Sequence, residues 1–303
     1  MRAATAVSPV NLNAVKMKKL LTRSLSGIVY VALIVGAILG DPVWFTVLMS
    51  LFSAIAVLEF RKLVMPPAGS IVQKAIAATD LLTAAALPLV SLGFTYTEAL
   101  SERNFSIITA FIIVIFAAYP LLRFTLALYD RSERPFAMAA RSVMSIFYIS
   151  IPLTLASIIN IASSAFSWLS MMMFIMIWLN DTGAFCTGCT MGRHKMFERL
   201  SPKKTWEGFA GGLFFSLAAG AVAYMLHLNP DFSLAAWLGM GVVAAIFSTW
   251  GDLFESLLKR NLGVKDSGKL IPGHGGILDR IDSLLFVAPA LLLYLISVYY
   301  IAQ

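Results

Sequence analysis

Charge is scarce in this chain. Only 13% of its 303 residues are Asp, Glu, Lys or Arg, and 59% are hydrophobic. A soluble globular domain carries about 25% charged residues, so an ordinary water-soluble globule is excluded. Cysteine is nearly absent. The two present, Cys186 and Cys189, exclude a disulfide framework. Their C-x-x-C spacing has no second pair to complete a zinc site and no soluble βαβ context for redox chemistry. Histidine is rare too, at three residues. Inverted internal repeats, common in transporters, are also missing. The net charge of +7 would suggest nucleic acid in a soluble protein. In a membrane protein the bias of basic residues toward the cytoplasmic side explains it more simply, and no nucleic-acid partner is expected.

What the chain does have is length in apolar runs. A hydrocarbon core of ~30 Å needs about 20 helical residues. Nine segments qualify, near 24–40, 43–60, 75–95, 106–124, 142–162, 165–185, 208–227, 234–255 and 283–301. With the N-terminus in the cytoplasm, every basic residue except Arg103 falls at an inner loop or end. The expected fold is therefore a single all-α domain, a polytopic integral membrane protein of about nine transmembrane helices, N-terminus cytoplasmic and C-terminus outside. Residues 1–20 read as a disordered basic tail ahead of an uncleaved first span. Links at Asp41-Pro42 and Ser163-Ser164 suit tight helical hairpins. Two polar loops, 186–207 and 256–282, face the cytoplasm. The run Met171 to Met173 reads as core packing.

The second polar loop is the densest. Ten charges lie between Asp252 and Asp282. At about 2.5–3.5 kcal/mol each in a helix centre, burying them in lipid would cost on the order of 25–35 kcal/mol. The segment must lie in water or line a polar cavity, yet its acids sit at span ends. Asp252 and Glu255 close the eighth span, and Asp279 and Asp282 open the ninth. Asp279 and Asp282, three apart, share a helix face if the helix begins there. Asp252, Asp279 and Asp282 are three hard oxygen donors at one interface, a set that suits Mg²⁺. The intervening "PGHGG", with Gly273, His274, Gly275 and Gly276, can adopt left-handed backbone and turn successive amides toward an anion. His274 is a candidate phosphate donor.

In the first polar loop Asp181 lies near the end of the sixth span, where a carboxylate needs a partner or a task. Ser201 before Pro202 reads as a helix N-cap with proline in the first turn. Lys203, Lys204 and Thr205 then fit phosphate binding at that helix start.

The run "SLLKRNLGVKDSGKLIPGHGGILDRID", Ser256 to Asp282, resembles the signature of the phosphatidate cytidylyltransferases, or CDP-diacylglycerol synthases. The match passes through Lys259-Arg260, Lys265-Asp266, Gly268, His274-Gly275-Gly276 and Asp279-Arg280-x-Asp282. "DTGAF", "GRHK" and "SPKKTWEG" resemble the family's earlier loop. The resemblance implies that CTP and phosphatidic acid are joined into CDP-diacylglycerol, with pyrophosphate released. It also implies Mg²⁺ with a second cation such as K⁺, a homodimer, and a polar cavity open to cytoplasm and lipid. Asp252, Asp279 and Asp282 would hold the metal. Lys203, Lys204, Lys259, Arg260 and the glycine-loop amides would hold CTP phosphates. Ser201, Thr205, Lys265 and Asp266 belong to the same substrate-binding set. Asp181 would serve a second cation or orient a lysine, and Arg280 would orient the aspartates or meet the lipid phosphate. A compact chain of this kind suits a bacterial inner membrane. Two rivals remain open at this point: a CTP-dependent polyprenol or lipid kinase, and a cation transporter using the same acids.

Overall fold

Helix starts fall where short polar side chains can take up the first free amides. Asp41 accepts from the Val43 amide at 2.8 Å, with Pro42 in the first turn, and opens α2 (Pro42–Val64) after α1 (Pro9–Leu39). Ser70 and Gln73 form a reciprocal capping box at the start of α3 (Ile71–Val90). α4 (Glu102–Tyr129) follows, then α5 (Pro135–Ser145), a single π turn (Ile146–Ser150) and α6 (Ile151–Ala162) in one run. α7 (Trp168–Met191) leads into a two-stranded antiparallel hairpin, β1 (Lys195–Phe197) and β2 (Ser201–Thr205). α8 (Trp206–Met225), α9 (Leu234–Asn261) and α10 (Leu278–Ala302) complete the chain. This computed structural model describes residues 9–94, 102–162, 168–268, 270 and 275–302.

Eight runs among the described residues are long and apolar enough to cross a membrane. The expected span at 106–124 lies within α4. The chain is a mostly helical, multi-pass membrane protein. Four boundaries differ from the sequence reading. The backbone is helical from Pro9, inside the segment expected as a tail. α7 runs on to Met191, so the first polar loop is shorter than expected and folds as the hairpin. α9 continues to Asn261, carrying Lys259 and Arg260 on helix, and α10 begins at Leu278. A hydropathy window ends where charge begins, but backbone hydrogen bonding continues. The Ser163-Ser164 link lies outside the described residues.

α7, α8, α9 and α10 pack in sequence, and α10 also meets α6 and α2. Gly251 lets α9 and α10 touch: a Cβ there would stand 2.5 Å from the Asp282 carbonyl oxygen. Close approach through small residues is the usual packing device between membrane helices. Here it brings Asp252 and Asp282 to one level. Behind them, Tyr148 of the π turn packs edge-on against Phe254 of α9 and Phe286 of α10, with ring centroids 5.0 and 6.4 Å away. Met171, Met172 and Met173 are buried in the core, as expected.

Candidate active site

The last turns of α9 and the first of α10 place their acids side by side. Asp252, Glu255 and Asp282 each offer an oxygen, and these oxygens lie within 4.8 Å of one another. Asp252 and Glu255 are three apart on α9, so they share a face. Lys259, one turn further, reaches Glu255 Oε2 at 2.5 Å and Asp279 Oδ1 at 2.9 Å. Lys204, from β2, reaches Asp252 Oδ2 at 2.6 Å and the Thr249 carbonyl at 3.3 Å. Asp181 of α7 accepts from Ser248 Oγ at 3.4 Å.

Asp279, expected as the third metal ligand, is engaged differently. Its oxygens take Lys259, the Ser267 amide at 2.9 and 3.2 Å, and the Gly276 amide at 2.8 Å. Glu255 stands in the third place beside Asp252 and Asp282. The carboxylate of Asp279 pins the signature loop onto the start of α10. Gly275 takes φ +86° at that turn, the left-handed backbone expected of this loop. The Gly276 amide is turned to Asp279. Gly273 and His274 lie outside the described residues.

A cavity of about 540 Å³ surrounds the cluster. Its walls carry six carboxylates, Asp181, Asp252, Glu255, Asp266, Asp279 and Asp282, against two basic side chains, Lys259 and Arg280. A second pocket of about 260 Å³ lies beside it, lined by Lys203, Lys204, Thr205, Phe185 and Phe209. Asp181 and Asp252 line both. The larger cavity extends to Gly27 and Val31 of α1, which also line an open, largely apolar groove along that helix with Arg23 at one end.

Among the described residues, the remaining expected site residues divide. Lys265 is exposed and lines neither chamber, whereas exposed Asp266 lines the larger. Arg260 lies outside both walls and donates through Nε to the Leu200 carbonyl at 3.3 Å, tying α9 to the hairpin. Ser201 is not a helix cap. It opens strand β2 opposite Phe197, and the cap of α8 is Thr205, whose Oγ1 accepts from the Gly208 amide at 3.1 Å. Pro202 is tolerated because a two-stranded hairpin leaves free edges. Glu207 orders the turn before β1, accepting from the amides of Arg193 and His194 and from His194 Nδ1 at 2.5 Å.

Two acids that the sequence reading did not assign to the site belong to its framework. Glu255 has a signal in the sequence, three residues after Asp252 and four before Lys259. Glu59 has none, since it lies more than 200 residues upstream in an apolar helix. It is buried, 7% exposed, and accepts from the Leu278 amide at 2.9 Å. Its carboxylate also fills the space that a side chain at Gly276 would need. α2 thereby braces the glycine loop from behind.

The acid cluster fits a hard divalent cation: three carboxylate donors converge, and Glu255 Oε1 is buried without a hydrogen-bond partner. Six carboxylates facing two bases would repel phosphate-bearing substrates unless cations offset them.

Residues 21–298 match the cytidylyltransferase family. A phosphatidate cytidylyltransferase of Staphylococcus saprophyticus is 40% identical over 187 residues, 61% of this chain and 69% of that protein. That of Staphylococcus aureus strain COL is 50% identical over 127 residues, 41% of this chain, and the match spans about half that protein's length, 47%. The Staphylococcus haemolyticus protein of the same name is 49% identical over 126 residues, 41% of this chain and 47% of that protein. The family match takes in the residues of both chambers and of the acid cluster, and the chain belongs to the cytidylyltransferase family, among the phosphatidate cytidylyltransferases.

Proposed function

We propose that the chain joins CTP to phosphatidic acid, forming CDP-diacylglycerol and pyrophosphate, at the boundary between its two chambers. The observation that carries this reading is the pair of chambers meeting at Asp181 and Asp252. One side opens toward the apolar groove of α1 and suits a lipid phosphate arriving from the bilayer. The other carries Lys203, Lys204 and the start of α8, and suits the nucleotide phosphates.

The attacking group is an oxygen of the lipid phosphomonoester. Its second pKa is about 6, so it is largely ionised at neutral pH and needs no base from the protein. That oxygen forms a bond to the α-phosphorus of CTP. The bond from that phosphorus to the bridging oxygen breaks, and pyrophosphate leaves with the electron pair. Catalysis then rests on positioning and charge. Asp252, Glu255 and Asp282 would hold Mg²⁺, which when bound neutralises phosphate charge and stabilises the leaving group. Lys204, paired with Asp252, is placed to exchange that partner for a CTP phosphate. Lys259 holds Glu255 and Asp279 in register. Arg280, on the wall of the larger cavity, faces the lipid side. A second cation such as K⁺ suits the remaining negative charge near Asp181. The basic-residue bias supports an active site on the cytoplasmic face of a bacterial inner membrane, and family resemblance supports a homodimer.

The test uses purified chain, CTP labelled at the α-phosphate, phosphatidic acid and Mg²⁺. Label should enter a lipid with stoichiometric pyrophosphate release, and Asp282→Asn should abolish it with folding intact. Release of CDP instead would mark a lipid kinase, and cation flux without CTP a transporter. Either result, or full turnover in Asp282→Asn, refutes the assignment.

A further inference from the structure

A second set of charges is buried among α2, α3, α4 and α5. It lies at the same end of the bundle as the cleft, because Glu59, two residues before Arg61 on α2, touches the start of α10. Asp80 of α3 is fully buried. It accepts from Tyr119 Oη at 2.7 Å and Ser142 Oγ at 2.7 Å, and is ion-paired with Arg61. Asp130, just after α4, accepts from Gln73 Nε2 at 3.0 Å and from the Ser132 amide and hydroxyl, both at 3.1 Å. All four carboxylate oxygens therefore have donors.

Arg123 of α4 is the reverse case. It is 1% exposed, and its Nε and Nη1 meet no acceptor. A guanidinium has five N–H donors and accepts nothing, and buried donors are nearly always paired. Each carboxylate oxygen of the cluster is thus already engaged, while two donors of Arg123 are not. Arg123 and Arg61 line a pocket of about 30 Å³ with Gln73, Asp130, Ser132 and Ala68. That volume admits one or two oxygen-sized atoms. The pocket shares no lining residue with either chamber of the cleft. The flanking segments add Lys62, Lys74, Arg131, Arg134 and Arg141 against Glu133, so the surroundings carry surplus positive charge.

We infer that this pocket binds an oxyanion, with oxygens of a phosphate group seated on the free donors of Arg123. Guanidinium is the side chain suited to that geometry. The same chemistry is offered by the headgroup of an anionic lipid at the membrane surface and by phosphate from solution.

Thermal unfolding of the full chain in zwitterionic detergent with a chelator, at constant ionic strength, separates them. One arm adds inorganic phosphate, and the other adds phosphatidylglycerol against phosphatidylcholine. Ligand binding to the folded state should raise the midpoint by a few degrees. Arg123→Met removes the donors. Ala68→Leu fills the pocket from its loop, leaves the guanidinium in place, and decides the matter if Arg123→Met does not fold. The shift should appear in the unmodified chain and be lost in both variants. A shift with phosphate marks a site open to solution, and a shift with phosphatidylglycerol alone marks a headgroup site. No shift in the unmodified chain, as for a pocket holding only water, overturns the inference. So does an equal shift in all three proteins.

Discussion

Glu255→Gln separates the acid cluster seen in the structure from the one read off the sequence. The substitution keeps size and removes one charge from a group whose oxygens lie within 4.8 Å. At an effective dielectric of about 20, a like-charge pair no farther apart than that costs at least roughly 3.5 kcal/mol. Losing the two that involve Glu255 gains at least roughly 7 kcal/mol. The lost attraction to Lys259 at 2.5 Å is also roughly 7 kcal/mol on the same scale. The two cancel to first order, and Lys259 keeps Asp279 at 2.9 Å, so no buried charge is stranded. The unfolding midpoint without divalent ion should change little. Cation binding should not survive so well. Changes merely adjacent to metal ligands reduce affinity about 10–100-fold, so losing a ligand should raise the Mg²⁺ concentration for half-maximal activity by at least about tenfold, or ~1.4 kcal/mol. The assay is a Mg²⁺ titration of CDP-diacylglycerol formation beside thermal unfolding in chelator. An unchanged Mg²⁺ midpoint in Glu255→Gln, with a large shift in Asp279→Asn, would refute the cluster and restore the sequence-based triad.

Glu59→Ala leaves the buried Leu278 amide without its acceptor, which costs about 1–3 kcal/mol. Hydrogen exchange should quicken at the amides of Gly276 and Leu278, and Glu59→Gln should largely prevent it. Gly275→Ala forces a side chain into φ +86° against the Asp279 carboxylate. The backbone term alone is about 1–2 kcal/mol, and turnover should fall sharply while circular dichroism shows intact helices. Thr205→Ala removes the α8 cap and should cost about 1 kcal/mol by thermal unfolding, whereas Thr205→Ser should recover most of it.

Several features were legible without coordinates because they depend on neighbours along the chain. Apolar runs longer than a bilayer is thick mark the helices, and a charge-dense segment between them cannot enter lipid. Asp252 and Asp282 stood out as acids at facing span ends, and the glycines of the "PGHGG" stretch as residues able to take left-handed backbone. The hairpin at 195–205 escaped notice because its strands are short and carry no alternation of apolar residues. Ser201 was misread as a cap because serine before proline is a general helix-start signal, and the competing cap, Thr205, lies only four residues later.

The sequence by itself determined that this protein lives in a membrane, which two stretches of it are too polar for lipid, and which reaction family its signature resembles. Those are properties of composition and spacing, fixed before any folding. Only the tertiary structure decided that Glu255 completes the acid cluster while Asp279 anchors the loop, and that Glu59 braces it from α2. It also decided that Lys204 meets Asp252 between two chambers. Those assignments depend on which helix faces which, at what depth and in what rotation, and side-chain oxygens discriminate partners over a few ångströms that no linear spacing encodes.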